Sequence, residues 1–305
     1  MTVHSSASKE QRTGVINALS AYFLWGIAPI YFKLLDSINP DEIMVHRVLW
    51  SCLLLFVIVI FSGKWRSLVV LIKNSPKLLL RLTITALFLG VNWFLFIWAI
   101  NNDHLLDASL GYYINPLFSV ALGMLFLNEK LSKWQFFAVA LAVIGVLIQV
   151  IMIGSVPMVS LALAGTFGIY GLLRKKMAVD SFIGLLIESV LMLPIAAIYW
   201  YFFVSSDTSN LFNNTISLNT SLIMAGVVTT APLLCFTAAA KRLTLSSLGF
   251  FQYLGPSIMF FLATFYYQEP LLIAKLITFA FIWLALIIYS VDSLKSHKKK
   301  KVLLE

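Results

Sequence analysis

Two ionisable side chains, Arg47 and Glu188, stand inside long apolar runs, and they are the first candidates for chemistry in this chain. A charge in hydrocarbon is expensive, so it marks a solute or proton pathway by default. Arg47 lies in the run Ile43–Ser62 and Glu188 in Phe182–Val204. At 1.5 Å per helical residue each sits roughly 10 Å deep from opposite faces, leaving about 10 Å between them in a core of about 30 Å. A direct salt bridge is therefore not expected. Each can serve one half of a pathway, Arg47 by attracting an anionic group and Glu188 as a proton-coupling carboxylate. The alternative is structural: snorkelling, or pairing with a loop charge such as Asp41 or Lys241. His46 precedes Arg47 and points about 100° away on a helix, so at most one of the two faces inward squarely.

Neutral polar and aromatic groups form the second set: Trp25, Asn92, Tyr113, Asn115, Tyr170, Gln252 and Tyr253. Amides facing lipid are costly, so they should point inward, to a solute or to a neighbouring helix. Together with Arg47 they suggest a site that recognises a partly apolar, hydrogen-bonding solute by stacking and amide contacts. Lys33 and Lys275, at run ends, read as snorkelling anchors. Pro29, Pro116, Pro194, Pro232 and Pro256 lie within runs and can kink them. Gly165, Gly168 and Gly171 recur every three residues and read as a packing face. No Cys/His cluster suggests a metal and no phosphate-binding glycine loop suggests ATP, so neither a metal nor a cofactor is expected.

The elements that must position these residues are membrane helices. Of 305 residues, 60% are hydrophobic and 11% charged, against about 25% charged in a soluble domain. The apolar residues fall in ten runs: Thr13–Leu35, Ile43–Ser62, Leu78–Asn101, Leu106–Leu127, Trp134–Ile153, Met158–Leu173, Phe182–Val204, Leu218–Ala240, Ser246–Tyr267 and Leu271–Val291. Most have the length that crosses a bilayer as a helix, and none alternates as a barrel strand does. The first run is too long for a signal-peptide core and should remain in the mature chain. Cys52 and Cys235 sit within runs and read as small buried hydrophobes. The net charge of +9 does not indicate nucleic acid, because the basic residues sit in short loops. With both termini cytoplasmic, the inner loops collect Lys64 to Arg81, Lys130 and Lys133, Arg174 to Lys176, and Lys241 with Arg242. The outer loops collect Asp36, Asp41, Glu42, Asp103, Asp107, Asp207 and Glu269, and only Gly154–Pro157 is uncharged, as the positive-inside rule requires. The lysine-rich tail reads as a topology anchor beside anionic lipid.

The chain also contains a copy of itself. Ser109-Leu110-Gly111-Tyr112-Tyr113 recurs as Ser247-Leu248-Gly249-Phe250-Phe251, and Pro116 as Pro256. Asn128-Glu129-Lys130-Leu131 returns as Gln268-Glu269-Pro270-Leu271, and Trp25-Gly26 as Phe167-Gly168. The unit is five helices, so the copies must enter the membrane from opposite sides, an inverted-topology repeat. The expected division is a segment 1–12, repeats 13–153 and 154–291, and a basic tail 292–305. Inverted repeats build two gates around a midplane site, which points to a transporter.

The segments His46-Arg47-Val48-Leu49-Trp50-Ser51, Ser109 to Pro116, Tyr170 to Lys175, Pro232-Leu233-Leu234 and Leu248 to Pro256 resemble the RarD group of the EamA-type drug/metabolite transporters. The resemblance spans about Gly14 to Val291. It implies ten helices in two five-helix halves around a central cavity lined mainly by helices 1, 3, 4, 6, 8 and 9, and residence in the bacterial inner membrane. It also implies transport of a small metabolite or drug, by a chain that is no enzyme; the residues leave its oligomeric state, monomer or homodimer, open. A lipid flippase is the alternative, and would show a polar stripe open to lipid. An intramembrane enzyme would need clustered acid, base or nucleophile pairs, and His46 with Arg47 is too little.

Overall fold

The computed structural model describes residues 2–102, 104–153, 158–203, 211–268 and 273–302, which are mostly helical with no strand among them. The helices are α1 (Thr2–Phe32), α2 (Pro40–Phe61), α3 (Trp65–Asn74), α4 (Pro76–Asn101), α5 (Leu105–Leu127) and α6 (Lys133–Ile153). The second half holds α7 (Met158–Lys175), α8 (Ser181–Phe203), α9 (Ile216–Arg242), α10 (Leu245–Gln252), α11 (Leu254–Phe261) and α12 (Ile273–Val302). Local chemistry sets many of the boundaries. Pro40 and Pro76 open α2 and α4, where a missing N–H costs nothing. Thr215 and Thr244 cap α9 and α10 by accepting from the Leu218 and Ser247 amides.

Among the described residues, nine helices are long and apolar enough to cross a membrane. The sixth expected run forms α7, but Arg174 and Lys175 in its last turn lower its mean hydropathy and it falls outside that set. The ninth expected run is not continuous. It divides at Tyr253 into α10 and α11 and ends in a π-helical turn, Leu262–Tyr266. Pro256 has no N–H for the Gln252 carbonyl, which weakens the helix at the break. Pro29, Pro116, Pro194 and Pro232 lie within helices that run on. The stretch after Phe61, read as a basic loop, contains the amphipathic helix α3, which buries Leu68. Asp103, Asp207, Glu269 and Gly154–Pro157 lie outside the described residues, as do the side chains of Asp107 and Lys275.

Large apolar side chains stand exposed along the spans, among them Phe23, Leu53, Leu87, Leu125 and Ile195. Such a surface suits hydrocarbon, and a soluble monomer rarely carries one. Inside, α1 packs on α9 and α11, and α7 on α5 and α4. Likewise α2 packs on α8 and α9, α8 on α4, α10 on α5, and α6 on α12. The closest approach of α2 to α9 depends on Gly226, where a Cβ would come within 2.5 Å of the Trp50 backbone. The Ser51 hydroxyl bonds the Gly226 carbonyl at the same crossing, at 3.3 Å. Gly226→Val should therefore cost about 1–3 kcal/mol through overpacking, read as a lower unfolding midpoint in detergent. An unchanged midpoint would mean the crossing is slack.

Candidate functional site

One end of the bundle carries Lys64, Lys175, Lys241 and Arg242, and is called here the basic end. An apolar cluster fills its interior, with Ala18, Leu55, Leu82, Leu186, Phe236 and Leu245 drawn from six helices. Polar contacts tie its rim. Lys64 pairs with Asp180 at 2.6 Å and Arg242 with Glu10 at 2.8 Å. Lys175 donates to the carbonyls of Ala240 and Leu243, and Lys241 to that of Val179. The Glu129 carboxylate accepts from the Leu245 and Ser246 amides and from the Ser246 hydroxyl, at 2.6–2.8 Å. It thereby locks the α5–α6 turn onto the N-terminus of α10, where a negative charge is favoured. Burial raises the Asp180 carboxyl, but Lys64 and the Ile183 and Phe182 amides more than offset it, leaving it below the usual carboxylate range. Its contribution is complete above the unfolded-state value and fades as pH falls through the folded one. At a partly exposed pair that is worth about 1 kcal/mol at most.

Within the cluster lies a polar knot built by α4, α7 and α8. Glu188 is fully buried. Its Oε1 accepts from Thr85 Oγ1 at 2.6 Å and its Oε2 from the Tyr170 hydroxyl at 3.3 Å. Arg174 Nη1 lies 3.5 Å from Glu188 Oε1, and both side chains have no exposed surface. The guanidinium fills space left free by Gly184, one turn before Glu188 on α8, where a Cβ would overlap Nη1. All three guanidinium nitrogens lack a protein hydrogen bond, so the ion pair is what balances this charge. Arg174, expected in a cytoplasmic loop, is instead a bundle residue. The apolar surroundings make Thr85 an important partner, and Thr85→Val should cost about 1.5–3 kcal/mol by removing a hydrogen bond to a charged group. A midpoint equal to that of the unaltered protein would remove Thr85 from the knot.

A second polar group lies in α2. Arg47 Nε donates to Thr229 Oγ1 of α9 at 2.8 Å, and its guanidinium sits over Trp93 at 5.0 Å and Phe32 at 5.6 Å. Arg47 and Glu188 thus bind different partners, as their depths require. Trp25 of α1 meets Phe167 of α7 edge-on at 5.8 Å and Phe236 of α9 at 5.9 Å. Trp25, Trp93 and Phe167 are half-buried and pack on the apolar cluster.

The other expected site residues divide. Asn92 spends both amide hydrogens on α7, bonding the Leu163 carbonyl and the Thr166 hydroxyl at 2.9 Å. Tyr170 is buried, stacked on Phe236 and bonded to Glu188. Gln252 accepts from Ser119 at 3.2 Å, and the Tyr253 hydroxyl donates to the Tyr113 carbonyl at 3.3 Å. The Tyr113 ring meets Phe279 of α12. Asn115 alone keeps a buried oxygen, Oδ1, without a partner. Arg174, Thr85, Thr229 and Trp93 were not singled out from sequence. The two threonines lie 144 residues apart and bond Glu188 and Arg47, which lie 141 residues apart.

Comparison with known proteins agrees with this architecture. Residues 12–151 match the EamA-like transporter family. An uncharacterised transporter of Vibrio cholerae is 57% identical over 288 residues, covering 94% of this chain and 95% of its own. The protein RarD of Escherichia coli is 50% identical over 292 residues, covering 96% and 98%. A solved crystal structure, 16% identical, superposes with a TM-score of 0.74 over 91% of this chain and 97% of its own, and so shares its fold. With near-full-length identity at this level, and with an all-helical bundle sheathed in apolar side chains, the chain belongs to the RarD group of the EamA-like transporter family and is a multi-pass membrane transporter.

Proposed function

We propose that this chain is a secondary active transporter, an exporter or exchanger of a small metabolite or drug, working by alternating access across a bacterial inner membrane with both termini in the cytoplasm. Its ten helices form inverted repeats, 13–153 and 154–291. The observation that carries this reading is a pair of matched contacts. Arg47 on α2 bonds Thr229 on α9, and Glu188 on α8 bonds Thr85 on α4. Exchanging the two halves turns one contact into the other, near an offset of 141 residues for the ionisable groups and 144 for the threonines. Other features follow the same exchange. The α1·α9 packing answers α4·α7, and α5·α7 answers α1 on α10 and α11. Asn128 and Gln268, at matching turns, share a left-handed φ of 52°. Such symmetry supplies two gates about one site. In this reading the apolar cluster and the rim contacts form the gate at the basic end.

Glu188 is the proton carrier in this proposal. Its charge balances Arg174, so protonation would release the α7–α8 contact that holds the basic end shut. A crevice of about 720 Å³ between α1, α8 and α9, with Lys241 near Leu234 and Ala238, is the one feature favouring a lipid substrate. Its cations are already engaged, Lys64 with Asp180, Arg242 with Glu10 and Lys241 with the Val179 carbonyl, which leaves the small-solute reading ahead. The test is uptake into inverted vesicles with and without the protein, over amino acids, nucleosides and chloramphenicol, each with and without a protonophore. Protein-dependent accumulation that the protonophore abolishes is expected. Protein-dependent exchange indifferent to the protonophore would discard proton coupling, and movement of lipid alone would discard the small solute.

A further inference from the structure

A second cleft, of about 620 Å³, opens at the basic end and shares no residue with the crevice between α1, α8 and α9. One wall is the α3–α4 turn with the first turns of α4, and the other is Lys176-Met177-Ala178, just after α7. Three cations line it: Lys77 and Arg81, one helical turn apart on α4, and Lys176 from the far wall. No acidic side chain lies among its lining residues. The four cations that define this end are engaged, Lys64 with Asp180, Arg242 with Glu10, and Lys175 and Lys241 with backbone carbonyls. Lys77 and Arg81, by contrast, make no ion pair or side-chain hydrogen bond among the described residues. Lys176 lies over the ring of Phe126 on α5, 5.9 Å from its centroid, and pairs with no carboxylate among them. Like charges that converge on one concave surface focus a positive potential there, which draws an anion.

The rest of α4 indicates which anion. The membrane-crossing span begins at Pro76, so the cleft stands at the depth of lipid headgroups. Below the cations the same face of α4 is bare and apolar. Leu80, Ile84, Leu87 and Val91 are all exposed, and their spacing of four, three and four residues keeps them in line with Lys77 and Arg81. From Leu80 to Val91 is about 16 Å of helix, close to the roughly 15 Å depth of one hydrocarbon leaflet. A free phosphate would use the cations alone. A phospholipid uses both the cations and the stripe.

We propose that this cleft binds the headgroup phosphate of an anionic phospholipid, with an acyl chain lying along Leu80, Ile84, Leu87 and Val91. Arg81 takes phosphate oxygens through paired N–H bonds, and Lys77 and Lys176 add point charges from the two walls. The walls belong to the helices that the polar knot joins. Arg81 lies one turn before Thr85, and Lys176 two residues after Arg174. A headgroup held by both walls therefore braces the contact at Glu188 from outside. Such a lipid is a stationary ligand, whichever solute is carried.

The test titrates the purified whole protein in a non-ionic detergent and reads the unfolding midpoint. The probes are phosphatidylglycerol, phosphatidylcholine with the same chains, and inorganic phosphate. Phosphatidylglycerol should raise the midpoint saturably, with an apparent affinity roughly ten-fold or more above that of phosphatidylcholine, since three basic side chains meet its charge. Inorganic phosphate at the same concentrations should leave the midpoint in place. The triple variant Lys77→Gln, Arg81→Gln, Lys176→Gln should unfold like the unaltered protein without lipid, because all three side chains are exposed, and should lose the preference. The triple variant Lys9→Gln, Lys133→Gln, Lys295→Gln removes the same charge from exposed sites outside the cleft and should keep it. Lys176→Gln alone should weaken phosphatidylglycerol; an unchanged affinity there overturns the bridge between α4 and α7. Equal affinity of the unaltered protein for the two lipids overturns the site, and needs no variant to fold. So does an equal loss of preference in both triple variants. A rise with inorganic phosphate that matches the lipid's overturns the lipid as the ligand.

Discussion

Arg174→Ala should destabilise the protein by about 3–5 kcal/mol, the cost of removing one partner from a buried ion pair. The reason is local. Glu188 has no exposed surface, and its remaining contacts are the hydroxyls of Thr85 and Tyr170, which cannot replace a positive charge. The double variant Arg174→Ala, Glu188→Gln should recover most of the loss, because the orphaned charge goes with its partner. Gly184→Ala should act in the same direction as Arg174→Ala, because the new methyl group takes the guanidinium's place. Unfolding midpoints in one detergent, followed by the intrinsic fluorescence of the eight tryptophans, measure all three. If Arg174→Ala and the double variant unfold together, Glu188 does not depend on Arg174, and the pair is only a proximity.

Glu188→Gln should remove the effect of a proton gradient on transport while leaving solute exchange. Glutamine preserves the shape of the side chain and can still accept from Thr85, but it cannot take up and release a proton. In inverted vesicles, gradient-driven accumulation is expected to drop at least ten-fold, to the level seen with protonophore. Exchange of labelled for unlabelled solute without a gradient should persist, and it certifies that the protein is folded and cycling. The variant leaves Arg174 unpaired, so the double variant with Arg174→Gln serves as the matched control. Gradient-driven accumulation that survives in Glu188→Gln would remove this residue from coupling and leave it a helix-packing group.

Much of the architecture was legible in the residues because bilayer physics leaves few choices. A run of about twenty apolar residues must satisfy its own backbone, and a helix does so. Hence α2, α4, α5, α6, α8 and α9 appear close to the expected limits. Where residues departed from expectation, backbone chemistry or packing intervened. The ninth run divides just before Pro256, whereas Pro116, its expected counterpart, sits in an unbroken helix. The sequence is the same in kind at both sites, so the different outcome belongs to the packing around each.

The candidate site was legible in part. Arg47 and Glu188 stood out because charge is rare inside such runs. Arg174 did not, because a cation next to Lys175 and Lys176 looks like a loop anchor, and only the fold of α7 against α8 carries it into the interior. Asn92 and Tyr170 are polar groups of the kind a solute would use, yet the structure commits them to Thr166 and Glu188. Composition and spacing alone determined that this chain crosses a membrane repeatedly, and they raised the expectation that its second half echoes its first. Both follow from one-dimensional rules, the length needed to span hydrocarbon and the recurrence of motifs. Only the tertiary structure decided which charges are balanced and which are not. A pairwise distance between residues far apart in the chain is set by helix packing, and sequence spacing does not encode it. That is why Arg174 and Glu188 emerge as partners while Arg47 bonds Thr229 and has no carboxylate within ion-pair distance among the described residues.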